Sequence, residues 1–429
     1  MAACVSTSSD RARYGRRARR PVQRTRQALR AFLDMEAAGG VVLIVAAAGA
    51  LLWANSPFSG AYDAIVHAEL RVGAGALSIT EDVQHWINDA LMVVFFFVVG
   101  LEIKRELVTG ELRDRRAAAL PAVAALGGVV LPALIFLALV GGGPEARGWG
   151  IPMATDIAFA VGVLALLGDR VPGGAKLLLL SIAIVDDILA IGVIAVVYTA
   201  EVSLGWLVAA VAGLGVVVLL RRLGVTQIWP YVVVGVLVWL ATFESGVHAT
   251  IAGVALGLLT PTGEAGGRNV LERLEHRLHP LSAFVIVPLF AFANSGVDLR
   301  AGALGEAVGG RLAVAVAVAL LVGKAVGIGA AALLAQRLGI GSLPNGVDTR
   351  HVWGLAALGG IGFTVSLFVA DLAYDADSLT DQAKVGIFAG SLVSAFVGSA
   401  VLRSGRQLTH RDVELPTAGA VAEEQVGHR

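Results

Sequence analysis

Apolar runs separated by short polar stretches fill the chain from about residue 35 to residue 402. Their approximate limits are 35–54, 83–103, 117–141, 149–168, 175–199, 203–220, 228–243, 246–260, 281–297, 311–335, 351–371 and 382–402. A helix needs about 20 mostly apolar residues to cross the hydrocarbon core of a bilayer. The pattern therefore predicts an all-α polytopic membrane protein with about 12 transmembrane helices. The runs at 228–243 and 246–260 are short for simple spans, so their boundaries are the least defined. Between the first two runs, HAELRVGAGALSIT (His67–Thr80) alternates around a Gly-Ala-Gly centre and predicts a small external β-hairpin. A lone hairpin is marginal in water. Its exposed edges predict pairing with a second copy, giving a homodimer.

Two runs carry breaks. In span 4, Pro152 removes a backbone donor and disfavours helix at Ile151, just before Thr155 and Asp156. In span 11, Gly359, Gly360 and Gly362 interrupt the helix before Phe363 and Thr364. Irregular backbone at membrane depth is tolerated only where it is buried in protein or lines a cavity. Each broken span is the middle member of a triplet, spans 3 to 5 and 10 to 12, and the triplets enter the membrane from opposite sides.

Composition agrees with a bilayer protein: 56% of residues are hydrophobic, only 15% are charged, and the mean hydropathy is +0.77. Glycine is abundant at 53 residues, as expected where membrane helices approach closely. The one cysteine, Cys4, excludes an intramolecular disulfide framework. No cleavable signal peptide is evident. Net charge is zero, but its distribution is lopsided. With the N-terminus placed in the cytoplasm, 27 of the 33 Lys and Arg residues fall inside and 5 outside. This places both termini in the cytoplasm. The expected organisation is a basic, disordered cytoplasmic tail at 1–33, a transporter domain at 34–404 and a disordered cytoplasmic tail at 405–429. Nothing in the composition implies a cofactor or a nucleic-acid partner; the lipid bilayer is the expected surrounding.

The remaining Lys is Lys324, inside the tenth span, and carboxylates stand at mid-span at Asp156, Asp186 and Asp187. A charged residue at bilayer depth costs about 2.5–3.5 kcal/mol on insertion scales, so such groups mark ion or proton pathways unless they are merely hydrogen-bonded core acids. Asp186 and Asp187 are neighbours on a helix, so their side chains diverge by about 100° and cannot share one role. One can face Asp156 and the other Lys324. A second cluster stands at the cytoplasmic ends. Glu102, Arg105 and Glu106 share one helix face, and Glu275, His276 and His279 lie in what reads as a loop before span 9. Histidine titrates near neutral pH, so this network reads either as a pH gate or as a juxtamembrane salt-bridge network. His248 reads as a packed helix-end histidine.

At this point the chain resembles the NhaA-type sodium/proton antiporters. The resemblance rests on WINDALMVVFFFVVGLEIKREL (Trp86–Leu107), IPMATDIAFAVGVLALLG (Ile151–Gly168), AIVDDILAI (Ala183–Ile191), SGVHATIAGV (Ser245–Val254), RLEHRLHP (Arg273–Pro280), PLFAFANSGV (Pro288–Val297), LVGKAVGI (Leu321–Ile328) and GGIGFTVSLF (Gly359–Phe368). It runs in order from about residue 34 to 404. Arg277 departs from the family pattern. That family is among those known for inverted-topology repeats, so the repeats are implied by the resemblance. The resemblance further implies electrogenic, pH-regulated exchange of Na+ or Li+ for H+ by alternating access across the bacterial cytoplasmic (inner) membrane. Asp156 and Asp187 would bind Na+, with Thr155 contributing oxygen, and Asp186 would pair with Lys324. Asp156 would balance the N-termini of the broken helices, and Lys324 their C-termini. Glu102, Arg105, Glu106, Glu275, His276 and His279 would set the pH response. The implied protein is no enzyme and needs no cofactor. Two other readings fit less well. An intramembrane aspartyl protease needs a Gly-x-Gly-Asp signature that is missing, and a cation channel leaves the paired breaks unexplained.

Overall fold

The computed structural model describes residues 35–404, apart from 75–76, 200–201, 226, 263, 266–267 and 301–309. The two tails, 1–33 and 405–429, lie outside the described residues, as does part of the hairpin tip. Among the described residues, eight helices are long and apolar enough to cross a membrane: α1 (Met35–Ala54), α3 (Val83–Val108), α4 (Arg115–Val140), α6 (Gly173–Val197), α7 (Leu204–Arg222), α10 (Val270–Asn294), α11 (Arg311–Arg337) and α14 (Asp377–Arg403). Two bent pairs pass the same test. A 3-10 segment, Pro144–Met153, meets α5 (Ile157–Leu167) at 41°, and α12 (Thr349–Leu358) meets α13 (Phe363–Ala373) at 45°. The two short apolar helices are α8 (Ile228–Glu244) and α9 (Thr250–Leu259). A short helix, α2 (Ser59–Val66), leads into the hairpin.

Local chemistry explains the boundaries. Asp82, Asp114 and Asp348 each accept a bond from a backbone N–H in the first turn of the helix they precede. Such caps satisfy donors that the helix itself leaves free. Gly141 (φ +75°) and Gly168 (φ +60°) end α4 and α5 in the left-handed region. The hairpin forms as the alternation predicts, with β1 (Glu69–Ala74) antiparallel to β2 (Leu77–Asp82), two residues past the expected end. Trp86 Nε1 donates to the Leu70 carbonyl at 3.0 Å, pinning the hairpin to the start of α3.

One expectation is corrected. Residues 270–281 are helical, the first turns of α10, and not a loop. Leu271, Leu274, Leu278 and Leu281 repeat at helical spacing, but the charged residues between them lower the hydropathy and hide the stripe.

Small residues bring the helices close. A Cβ at Gly253 of α9 would stand 2.3 Å from the Val93 carbonyl oxygen of α3, and one at Gly127 of α4 would stand 2.3 Å from the Gly327 carbonyl oxygen of α11. Backbone contact of this kind supplies dispersion where lipid removes the hydrophobic drive between helices. Among the described residues, three helices contain a π turn: α3 at Ile87–Leu91, α10 at Ser282–Ile286 and α11 at Ala319–Lys324.

Candidate functional site

The two bends meet at their unwound stretches and satisfy each other. Asp156 N–H donates to the Ile361 carbonyl (2.6 Å). The Thr155 hydroxyl donates to the Gly359 carbonyl (2.8 Å), and the Ser366 hydroxyl to the Ile151 carbonyl (2.7 Å). Ser391 Oγ accepts from the Gly362 and Phe363 amides, both at 3.3 Å. Backbone groups freed by the breaks thus find partners away from water, as burial in an apolar medium demands.

Asp156 stands at the meeting point. Its Oδ1 accepts from Phe159 N–H (2.9 Å), capping α5. Its Oδ2 accepts from the Thr364 N–H (3.1 Å) and hydroxyl (2.7 Å) at the start of α13. One carboxylate therefore faces the positive ends of two helix dipoles. Lys324 is fully buried and donates to Asp186 Oδ2 at 2.6 Å and to Thr155 Oγ1 at 3.1 Å. Through Thr155 it approaches the Gly359 carbonyl at the end of α12. The next residue along α6, Asp187, turns the other way. Its Oδ1 is buried without a hydrogen-bond partner.

Asp187, Asp156, Thr155 and Thr364 line one open cavity. The same cavity extends to Glu36, Glu102 and His279. The two clusters that stand apart in the sequence are therefore the two ends of one passage. His279 Nε2 lies 2.5 Å from Glu36 Oε1 and 3.6 Å from Glu102 Oε1. Arg105 bonds Glu275 through Nη1 and lies 3.3 Å from Glu106 Oε1 through Nη2. Glu275 and His279, four residues apart on α10, are both buried. His276 is exposed and is not drawn into the cluster. His248 packs before α9, with Nε2 2.6 Å from the Tyr198 carbonyl.

Two residues on this passage carry no role in the sequence reading, Glu36 and Thr364. A signal for Glu36 is present, since it is a carboxylate in the first turn of an apolar run. Thr364 follows a glycine-rich break, and only the crossing of the two bends shows that it reaches Asp156.

The donor set along the cavity includes carboxylate and hydroxyl oxygens, hard ligands suited to an alkali cation. Carboxylates of this kind can also bind protons. Among the described residues no group of three or more His, Cys, Asp or Glu is placed to hold a resident metal ion.

Residues 30–402 match the family described as Na+/H+ antiporter 1. Among curated relatives, Na(+)/H(+) antiporter NhaA 2 of Pseudomonas syringae is 49% identical, over 87% of this chain and 94% of its own. Na(+)/H(+) antiporter NhaA of Serratia proteamaculans is 48% identical, over 87% of this chain and 97% of its own. Na(+)/H(+) antiporter NhaA 1 of Erythrobacter litoralis is 46% identical, over 90% and 95% respectively.

Proposed function

The chain belongs to the Na+/H+ antiporter 1 family, and from that premise we propose that Asp156 and Asp187 are the groups at which it exchanges Na+ for H+. It is a transporter and not an enzyme. The observation that carries the assignment is the division of labour between adjacent acids. Oδ1 of each acid is without a hydrogen-bond partner, but Asp186 is held by Lys324 through Oδ2, while Asp187 lines the cavity together with Asp156. Deprotonated, the two carboxylates with Thr155 and Thr364 offer a hard oxygen cradle. Protonated, they release the cation. One Na+ displacing protons from two carboxylates moves net charge, which makes the exchange electrogenic.

The two bent pairs are the broken crossing spans. With the eight long helices and with α8 and α9 they make twelve spans. Each broken span lies between two long helices, α4 and α6 in one triplet and α11 and α14 in the other, which supports inverted repeats rocking about the site. The charge distribution supports an inner-membrane protein with both termini cytoplasmic and the hairpin outside. The Glu36–His279–Glu102 and Glu275–Arg105–Glu106 groups at the cavity mouth are the pH-responsive element, because a titrating histidine there alters the charge an entering cation meets. The hairpin edges support a two-fold dimer.

The test is Na+-driven dissipation of a pH gradient in proteoliposomes. The unsubstituted protein should show it, and Asp187→Asn should abolish it while the protein stays folded. Unsubstituted rates for Asp187→Asn would overturn the assignment.

A further inference from the structure

One helical turn beyond the cavity residues Thr364 and Val287, toward the hairpin, three aromatic rings pack together. Phe368 packs between Phe96 and Phe290, with ring centroids 5.5 and 6.2 Å away. All three side chains are buried. Past them, toward the hairpin, lies a second polar cluster with no part in the exchange site. Asn88 Nδ2 donates to Asp371 Oδ2 at 2.7 Å and to Asn294 Oδ1 at 3.2 Å. Asn294 Nδ2 returns a bond to Asn88 Oδ1 at 2.8 Å, and Gln84 Nε2 donates to Asn294 Oδ1 at 2.9 Å. Asn88 is 5% exposed and Asn294 0%.

Helix register aligns this cluster with the exchange site. On α13, Thr364, Phe368 and Asp371 follow at i, i+4 and i+7, which is one stripe of the helix. On α10, Val287, Phe290 and Asn294 follow at i, i+3 and i+7. Thr364 and Val287 line the cavity. Both helices therefore present the same order toward the hairpin: a cavity residue, a phenylalanine, then a polar group. Seven helical residues span about 10 Å, so the polar cluster stands just beyond the aromatic layer. On α3, Phe96 joins the aromatic layer and Asn88 joins the polar one. The π turns point the same way, because such turns recur at functional sites. One ends at Lys324, one begins at Ser282 of the cavity wall, and the third holds Asn88.

We propose that Asp371, Asn88 and Asn294 form a second station for Na+ and H+ on the hairpin side, with Phe96, Phe290 and Phe368 as the layer that separates it from Asp156 and Asp187. The proposal rests on the Na+/H+ exchange reading above. A carboxylate with carboxamide oxygens is again a hard oxygen set. With the aromatic layer closed, the carboxamides satisfy one another. Rotating them turns their oxygens toward an arriving cation, whose charge Asp371 balances. Buried polar groups between helices also serve as interhelical glue. Glue alone has no preference for the side from which Na+ comes, and this separates the two roles.

The experiment uses the full chain in sealed vesicles of known orientation, with Na+ offered to either face and proton movement recorded. Asp371→Asn preserves shape and the bond to Asn88 but removes the charge. Half-saturating Na+ at the hairpin face should rise about tenfold, as loss of one partly screened charge contact implies. Half-saturating Na+ at the cavity face should stay put, and Asp371→Glu should restore the hairpin-face value. An equal rise at both faces, or no rise at either, overturns the station. Absence of exchange in the unsubstituted protein overturns the function instead. Phe368→Ala tests the layer separately. In a Cys4→Ser, Val365→Cys background it should speed labelling by a membrane-impermeant thiol reagent added at the hairpin face. Unchanged labelling overturns the layer.

Discussion

Asp156 and Thr364 join the two bent helix pairs at a single carboxylate. Asp156 Oδ2 takes both the backbone N–H and the hydroxyl of Thr364, while Oδ1 caps its own helix. The acid that is proposed to release and rebind a proton on every cycle is thus also the clasp between the bends. A hydrogen bond to a charged group contributes about 1.5–3 kcal/mol. Thr364→Val removes the hydroxyl bond and keeps the shape. It should lower the melting temperature and raise half-saturating Na+ several-fold, whereas Thr364→Ser should behave like the unsubstituted protein. Thermal melts in detergent and exchange assays check both, and an unaltered Na+ dependence in the valine variant would count against a cation ligand role for this hydroxyl.

Lys324 and Asp186 form a fully buried ion pair at 2.6 Å. Removing one partner of such a pair typically costs about 3–5 kcal/mol because the other charge is left stranded. Lys324→Ala should therefore lower the melting temperature sharply. Lys324→Arg keeps the charge and should be milder, although the planar head packs differently. In the double variant with Asp186→Asn, much of the loss should be recovered. If the double variant is only as stable as the sum of the single losses, the pair is not coupled.

At the cavity mouth, Arg105 bridges Glu275 on α10 and Glu106 on α3. Glu275→Gln should move the pH profile of exchange by more than it changes the maximal rate. His276→Ala should move neither, because that side chain is exposed and outside the cluster. A lost maximum with an unmoved profile for Glu275→Gln would make this network structural.

Asp82 ties α2, the hairpin and α3 together. It caps α3 through His85 N–H at 2.8 Å, and its carboxylate meets the imidazoles of His85 at 2.7 Å and His67 at 3.2 Å. Burial alone pushes the carboxyl up, but the His85 N–H and then the two imidazoles outweigh it, so the folded value lies below the ordinary one. The stabilisation is therefore present above the unfolded pKa of about 4 and is lost as pH falls through the lower folded value. The protection of the Val83–His85 amides, relative to their intrinsic exchange rates at each pH, should fall below pH 4. Asp82→Asn keeps the cap, since Asn and Asp cap comparably, and should flatten that dependence. An acid response that persists in full in Asp82→Asn would place its origin elsewhere.

What the linear sequence determines about this protein is the set of features whose energy depends on nothing but depth and chain geometry. Asp156, Asp186, Asp187 and Lys324 are visible because each is a charge inside an apolar run. Pro152 and the Gly359, Gly360 and Gly362 group are visible because they interrupt helix wherever they stand. The alternation at Leu70–Ile79 is visible because a pleated strand has period two. Tertiary structure decides the partnerships. Thr364 lies 208 residues from the carboxylate it binds, and Asp371 lies 283 residues from Asn88. Glu36 and His279 meet across 243 residues of sequence, while His276, three residues before His279, stays exposed outside the cluster. Such pairings depend on the rotation of each helix about its axis and on where two helices cross. A hydropathy pattern leaves the rotation loosely specified when most faces are apolar, and close approach at glycines such as Gly253 and Gly127 settles it only once the whole bundle is packed.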